Sequence, residues 1–227
     1  MFQLIDQTAD FVVVNKPCGI SMHKDQQDAG FVMQLQDQLG VDQLFPVHRL
    51  DKMTSGIVLL AKTSVAAAEL SLQFQNRQVC KFYLAISDKK PRKKQGLIKG
   101  DMVKARRGSW KLLKTQNNPA VTQFFSASVG NRLRLFLLKP HTGKTHQLRV
   151  AMKSIGAAIV GDDRYHETTQ NVVERGYLHA YYLQFDFAGE RYCYCTSPAS
   201  GDLFMLPEVK QQLEQWAEPQ SLSWPAV

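Results

Sequence analysis

Four stretches of the chain combine reactive side chains with turn-forming residues: Asn15-Lys-Pro-Cys-Gly-Ile-Ser-Met-His23, His48-Arg-Leu-Asp-Lys-Met-Thr-Ser-Gly56, Lys81-Phe-Tyr83, and Leu138-Lys-Pro-His-Thr-Gly-Lys-Thr-His-Gln-Leu-Arg149, which continues to Gly161-Asp-Asp-Arg-Tyr165. In the second, Asp51 precedes an apolar run, at a strand entrance, and Asp is a poor builder of strand interiors. Arg49, two residues before it, is placed to keep the carboxylate ionised, the form in which it attacks carbon or removes a proton. The competing reading is an Asx-turn beside a surface salt bridge. In the fourth, a glycine-containing turn leads into a helix start with His146, Arg149 and Lys153 on one polar face, an arrangement suited to phosphate. An ordinary amphipathic helix reads the same way.

Asp10 to Asn15 reads as a strand that stops at Lys16-Pro17, because proline removes a ladder donor. Val32, Leu35 and Leu39 fall on one face of a helix that Gly40 ends. Gly56 to Lys62 is a short buried strand. Ser64 is expected to cap the next helix, with Val65, Ala68 and Leu72 inward. Val79 to Ile86 is another strand, and Val121–Val129 pairs with Leu133–Lys139 around Gly130-Asn131. Thr145 is expected to cap a helix with Leu148, Met152 and Ile155 inside, ended by Gly156. Tyr192 to Thr196 is a late strand, and Pro207 opens a final helix with Val209, Leu213 and Trp216 on one face. Strands outnumber helices without alternating with them. The expected class is therefore α+β, with a mixed, mainly antiparallel central sheet and flanking helices and loops. No Pro, Gly or Ser linker interrupts the 227 residues, so one domain over 1–227 with no appended module is expected.

Apolar residues make up 44 % of the chain, enough for a sizeable core. The start lacks a basic stretch followed by an apolar run, and no apolar run is long enough to span a bilayer, so a soluble, cytoplasmic protein without membrane contact is expected. Cys18, Cys80, Cys193 and Cys195 do not pair at zinc-ligand spacing and read as structural or incidental thiols. The net charge of +8 is unevenly spread: between Lys81 and Lys114 stand twelve Lys or Arg against two Asp. The segment carries turn signals at Pro91, Gly96, Gly100 and Gly108, so hairpins or an exposed arm are expected. Such concentration suits a polyanionic partner, because neutralised phosphates release counterions. A solvated hairpin that promotes solubility is the plainer alternative, and Trp110 within it fits RNA stacking and strand packing equally.

Taken together, and in this order, the four segments resemble pseudouridine synthases of the RluA type, from about Phe11 to Phe185. Leu178-His-Ala-Tyr-Tyr-Leu-Gln-Phe185 is similar to the family's late Leu-His-Ala segment. The resemblance implies an RNA-modifying isomerase and the family's mixed sheet. By it, Asp51 is the essential aspartate, Arg49 helps extrude and replace the target base, and Tyr83 stacks on the uracil. Arg149 pairs with Asp51, and Leu178 forms an apolar wall. His48 contacts phosphate or braces its loop, with bracing favoured, and Lys144 and His146 fall among the RNA-binding positions. Lys16, His23, Tyr165, His166 and His179 read as structural. Lys144 replaces the family's usual arginine and Ala151 a common histidine. Lysine cannot make arginine's planar bidentate contact, so these departures bear on substrate choice.

The implied reaction involves no redox change or hydrolysis, so no metal, nucleotide or flavin is expected. The expected partner is RNA, transfer or ribosomal. Oligomeric state is not encoded legibly, with a monomer slightly favoured. A non-catalytic RNA-binding protein using the same basic surface is the alternative, distinguished by whether Asp51 is dispensable. A carboxylate-dependent nuclease would require a second carboxylate near Asp51, for which Asp162 is the obvious candidate, or a set of metal ligands.

Overall fold

The computed structural model describes residues 1–24, 29–167 and 173–227. In chain order the elements are β1 (Gln3–Gln7), β2 (Phe11–Lys16), α1 (Phe31–Leu39), β3 (Phe45–Pro46), β4 (Thr54–Ala61), α2 (Ser64–Gln75), β5 (Cys80–Ser87), β6 (Gln95–Gly100), β7 (Met102–Lys104) and β8 (Trp110–Leu112). They continue with β9 (Ala120–Ser128), β10 (Arg134–Pro140), α3 (Gln147–Ser154), β11 (Leu178–Phe187), β12 (Glu190–Cys195) and α4 (Pro207–Gln215). The chain divides into two compact units: Met1–Lys81 with His179–Ser197, and Phe82–Leu178 with Pro198–Val227.

In the first unit the strands run in the order β1-β2-β4-β11, with β12 on β11 and β3 on β4. β1–β2, β2–β4 and β11–β12 are antiparallel. Every residue of β4 is buried, and β2 is buried on both faces from Phe11 through Val14. Phe11, Val13, Ile57, Leu59, Ala66, Leu70, Phe185 and Phe187 share one core. Removing such side chains from water, at about 25 cal/mol per Å² of apolar area, is what holds the unit together.

α1 ends as its sequence indicates, with Gly40 in the left-handed region at φ 62°. α2 differs from expectation. Thr63, not Ser64, caps it, its hydroxyl accepting from the Ala66 N–H at 3.1 Å. Ala66 and Leu70 face the core, while Val65, Ala68 and Leu72 lie outside. Apolar residues occur nearly all round this helix, so spacing alone does not select a face. The two-residue exit from β4, Lys62-Thr63, sets its rotation instead.

The second unit holds the antiparallel set β5-β10-β9-β6 and a separate antiparallel pair, β7–β8. β9 and β10 pair as expected around Gly130-Asn131. The basic segment forms β6 and the β7–β8 hairpin, meeting the hairpin expectation, and Lys93, Lys94, Lys99, Lys104, Arg106, Arg107, Lys111 and Lys114 are all exposed. α4 buries Val209, Leu213 and Trp216, as its spacing indicates. The two units together give the α+β, mainly antiparallel architecture expected from the sequence. No helix among the described residues is long and apolar enough to cross a membrane.

Candidate active site

Asp51 lies half-buried on the loop that enters β4, between buried Leu50 and exposed Lys52. The loop is tied down through its backbone. The Asp51 carbonyl accepts from the Thr54 N–H at 3.0 Å, and the Lys52 carbonyl accepts from the Gly19 N–H at 2.8 Å. Cys18 Sγ donates to the Met53 carbonyl at 3.0 Å. Lys16 is fully buried, and its Nζ donates to the carbonyls of Pro17 at 2.9 Å and Thr54 at 2.8 Å. The Lys-Pro-Cys-Gly segment is therefore the support of the aspartate loop, which gives Lys16 the supporting role expected of it. An ammonium group in such surroundings replaces its lost hydration with carbonyl dipoles.

Behind the loop, Gly56 has φ 111°, and a Cβ there would stand 2.3 Å from the Ala180 carbonyl oxygen. Only glycine permits both the backbone angle and this approach of β4 to β11. Ser55 Oγ pairs with His179 Nδ1 at 2.8 Å, and His179 Nε2 donates to the Thr196 carbonyl at 2.8 Å, so this histidine is structural as expected.

Of the two roles open to His48, the structure shows bracing. Its Nε2 accepts from the Leu59 N–H at 3.0 Å, and its ring stacks on Phe74 at 4.6 Å between centroids. Burial, with the nearby Lys81 charge, lowers its pKa from 6.5 to about 3. The ring is thus held neutral, with its Nε2 committed to the Leu59 amide. Arg49, next to it, is exposed.

In the second unit Tyr83 is half-buried on β5, opposite Leu138 of β10 and flanked by buried Phe82 and Leu84. Leu178 is buried at the start of β11. Arg149 is also buried, at 4 % exposure, which corrects its placement on a polar helix face. Its Nε and Nη2 bond the two oxygens of Asp162 at 2.8 and 2.7 Å, and Nη2 reaches Asp163 Oδ1 at 3.1 Å. The resemblance implies Asp51 as the partner of Arg149; the fold supplies two further carboxylates from the arginine's own unit. Asp162, 1 % exposed, also accepts from the N–H groups of Arg164 at 3.0 Å and Tyr165 at 3.2 Å. Its oxygens are committed to orienting Arg149 and closing a turn, which removes it as the second carboxylate of a nuclease. Sequence patterning places charged residues outward, so only the later Asp162-Asp163 pair signals that this arginine turns in.

α3 begins at Gln147, with His146 at its N-cap in the left-handed region, φ 57°, and no side-chain cap. Thr145 does not cap it. Gln147 instead anchors the turn: its Oε1 accepts from Thr142 Oγ1 at 2.7 Å and the Lys144 N–H at 3.0 Å, and its Nε2 donates to the Val121 carbonyl at 3.1 Å. Lys144 Nζ donates to the Asn118 carbonyl, so this lysine tethers the loop that precedes β9. His146 Nδ1 meets the Tyr165 hydroxyl at 2.9 Å. Among the described residues, no group of three or more His, Cys, Asp or Glu is placed to hold a metal ion.

The first unit thus carries an aspartate loop held by a buried lysine, and the second a buried arginine set by its own carboxylates, an arrangement that the motifs alone do not give. The family model described as RNA pseudouridylate synthase matches residues 10–154. A Haemophilus influenzae protein named as an uncharacterized RNA pseudouridine synthase is 47 % identical over 221 residues, covering 97 % of this chain and 98 % of its own. The tRNA pseudouridine synthase C of Pasteurella multocida is 35 % identical over 81 % of this chain and 85 % of its own. Among solved structures, the human RNA Pseudouridylate Synthase Domain Containing 1 matches with a TM-score of 0.77 at 26 % identity, over 100 % of this chain and 97 % of that one. The chain belongs to the RNA pseudouridylate synthase family, enzymes that isomerise uridine in RNA, and its motifs are those of the RluA type.

Proposed function

We propose that Asp51 is the catalytic carboxylate of an RNA pseudouridine synthase acting on a uridine of transfer or ribosomal RNA. The single observation that carries the assignment is the position of Asp51: a half-exposed carboxylate on a loop whose neighbouring carbonyls are held by Gly19, Cys18 and buried Lys16. A carboxylate held so firmly and left within reach of solvent is preorganised for chemistry rather than for stability.

The target base must first leave its stack, at a cost of a few kcal/mol. Exposed Arg49 is suited to enter the vacated space. Asp51 then acts on the ribose, as a nucleophile at C1′ or as a base toward a sugar proton, and the bond from C1′ to uracil N1 breaks. The base turns and C5 bonds to C1′ as the Asp51–C1′ bond breaks or the sugar proton is returned; the C5 proton then leaves to solvent and N1 takes one up, so atoms balance and Asp51 is regenerated. Tyr83 supports the detached uracil by stacking, worth about 1–3 kcal/mol per base. Leu178 supplies an apolar wall. Arg149, oriented by Asp162, is proposed as the cationic partner of Asp51.

The tRNA pseudouridine synthase C relative supports transfer RNA as a substrate class. A cytoplasmic monomer is proposed with it. The test is release of label from C5-tritiated uridine in RNA taken from cells lacking the protein. Stoichiometric release, with carbodiimide-reactive uridine appearing at one site, is expected; no release from either RNA class would refute the function.

A further inference from the structure

The β7–β8 hairpin is too short to be stable alone, since isolated two-stranded pairs are marginal in water. Its exposed tip, Arg106-Arg107-Gly108, carries Arg107 at φ 55°, a left-handed angle uncommon outside glycine. Two adjacent residues of the second unit grip it. Arg164 Nη1 donates to the Arg107 carbonyl at 2.8 Å, and a Cβ on Gly108 would come within 3.0 Å of that same nitrogen. The Tyr165 hydroxyl accepts from the Trp110 N–H at 2.8 Å.

The same two residues follow closely on Asp162, whose carboxylate receives both their backbone N–H groups and the Arg149 guanidinium. The Tyr165 ring lies under that guanidinium, 5.1 Å from its centre, and its hydroxyl also meets His146 Nδ1. When the hydroxyl donates to Nδ1, the imidazole proton sits on Nε2. One turn therefore holds a basic hairpin by its backbone on one side and a buried arginine by its charge on the other.

We propose that Tyr165 is a positioning residue whose hydroxyl ties the β7–β8 hairpin to the turn that orients Arg149, so that an RNA backbone engaged by the hairpin is set in register with that arginine. This rests on the function proposed above. Coupling of this kind is reciprocal, so weakening the tie must weaken RNA binding through the hairpin specifically.

The test is a double-mutant cycle on the full chain, with unfractionated transfer RNA as the probe. Tyr165→Phe keeps the ring under Arg149 and removes only the hydroxyl. It is expected to raise Kd about fivefold, through loss of the hydroxyl's bonds to the Trp110 N–H and His146 Nδ1. In an Arg106→Gln, Arg107→Gln background the same substitution is expected to change Kd by less than about twofold, because the hairpin no longer engages phosphate. A loss of equal size in both backgrounds would mean a merely structural tyrosine and would overturn the inference. Arg164→Lys, an exposed change that keeps the charge, is expected to reproduce the hairpin-dependent loss, and equal losses in both backgrounds would count against it. If the wild-type protein releases no label from uridine C5, the enzymatic reading fails; if it does and the cycle is additive, only this inference fails.

Discussion

His48 is kept neutral by the burial that lets it serve β4, and this has a pH signature. Its folded pKa of about 3 lies below the ordinary 6.5. As pH falls, the unfolded chain takes up the proton first, so the unfolded state binds more protons and stability declines. The contribution is intact above about pH 6.5 and is lost progressively toward pH 3. Glutamine at this position can still accept from the Leu59 N–H but does not titrate. The Tm of the wild type is therefore expected to fall more steeply between pH 6.5 and about 3 than that of His48→Gln; parallel curves would contradict the assignment. At this scale the candidate residues stood out only through their order along the chain, since each segment alone reads equally as a surface turn or an ordinary amphipathic helix. What could not be read was which nitrogen, oxygen or face each would use. The Leu59 amide that occupies His48 is eleven residues away along the chain.

The turn from Gly161 to Tyr165 does for Arg149 what the Lys16 loop does for Asp51. Asp162→Asn removes the anionic partner and leaves a buried guanidinium against a neutral amide. Breaking one side of a buried pair costs about 3–5 kcal/mol, which urea unfolding will read as a lowered midpoint with little change in slope. A loss under about 1 kcal/mol would show that Asp163 alone suffices as the partner. Elements with a single apolar stripe, such as α1 and α4, were legible in position and face. α2 was not, because apolar residues surround it. In α3 the sequence points to Thr145 as the cap and to an outward Arg149, because the carboxylate that draws the arginine inward lies thirteen positions later. β1 is not legible because its burial is slight, and β11 because a strand buried nearly throughout carries no alternation.

Across the whole molecule the excess positive charge is confined to the β5–β8 region, nearly all of it on exposed side chains. If this surface tracks RNA, log Kd should vary with log salt by about 0.7 per single-strand phosphate contacted. Replacing Lys93, Lys94, Arg106 and Arg107 with Gln is expected to flatten that dependence; an unchanged slope would leave the segment as solubilising charge. The ordered motifs made the family legible from the sequence, because agreement spread over the chain is hard to obtain by chance. No linker marks the division into two units: the chain crosses between them inside β5, at the start of β11 and again after Ser197.

The decisive measurement is label release from C5-tritiated uridine by Asp51→Asn, which preserves size and hydrogen bonding but not charge. With folding verified by an unchanged Tm and RNA affinity within about threefold of wild type, release is expected to fall by at least about a thousandfold, consistent with loss of the reacting group rather than of binding. Release by the variant at the wild-type rate would contradict the central assignment.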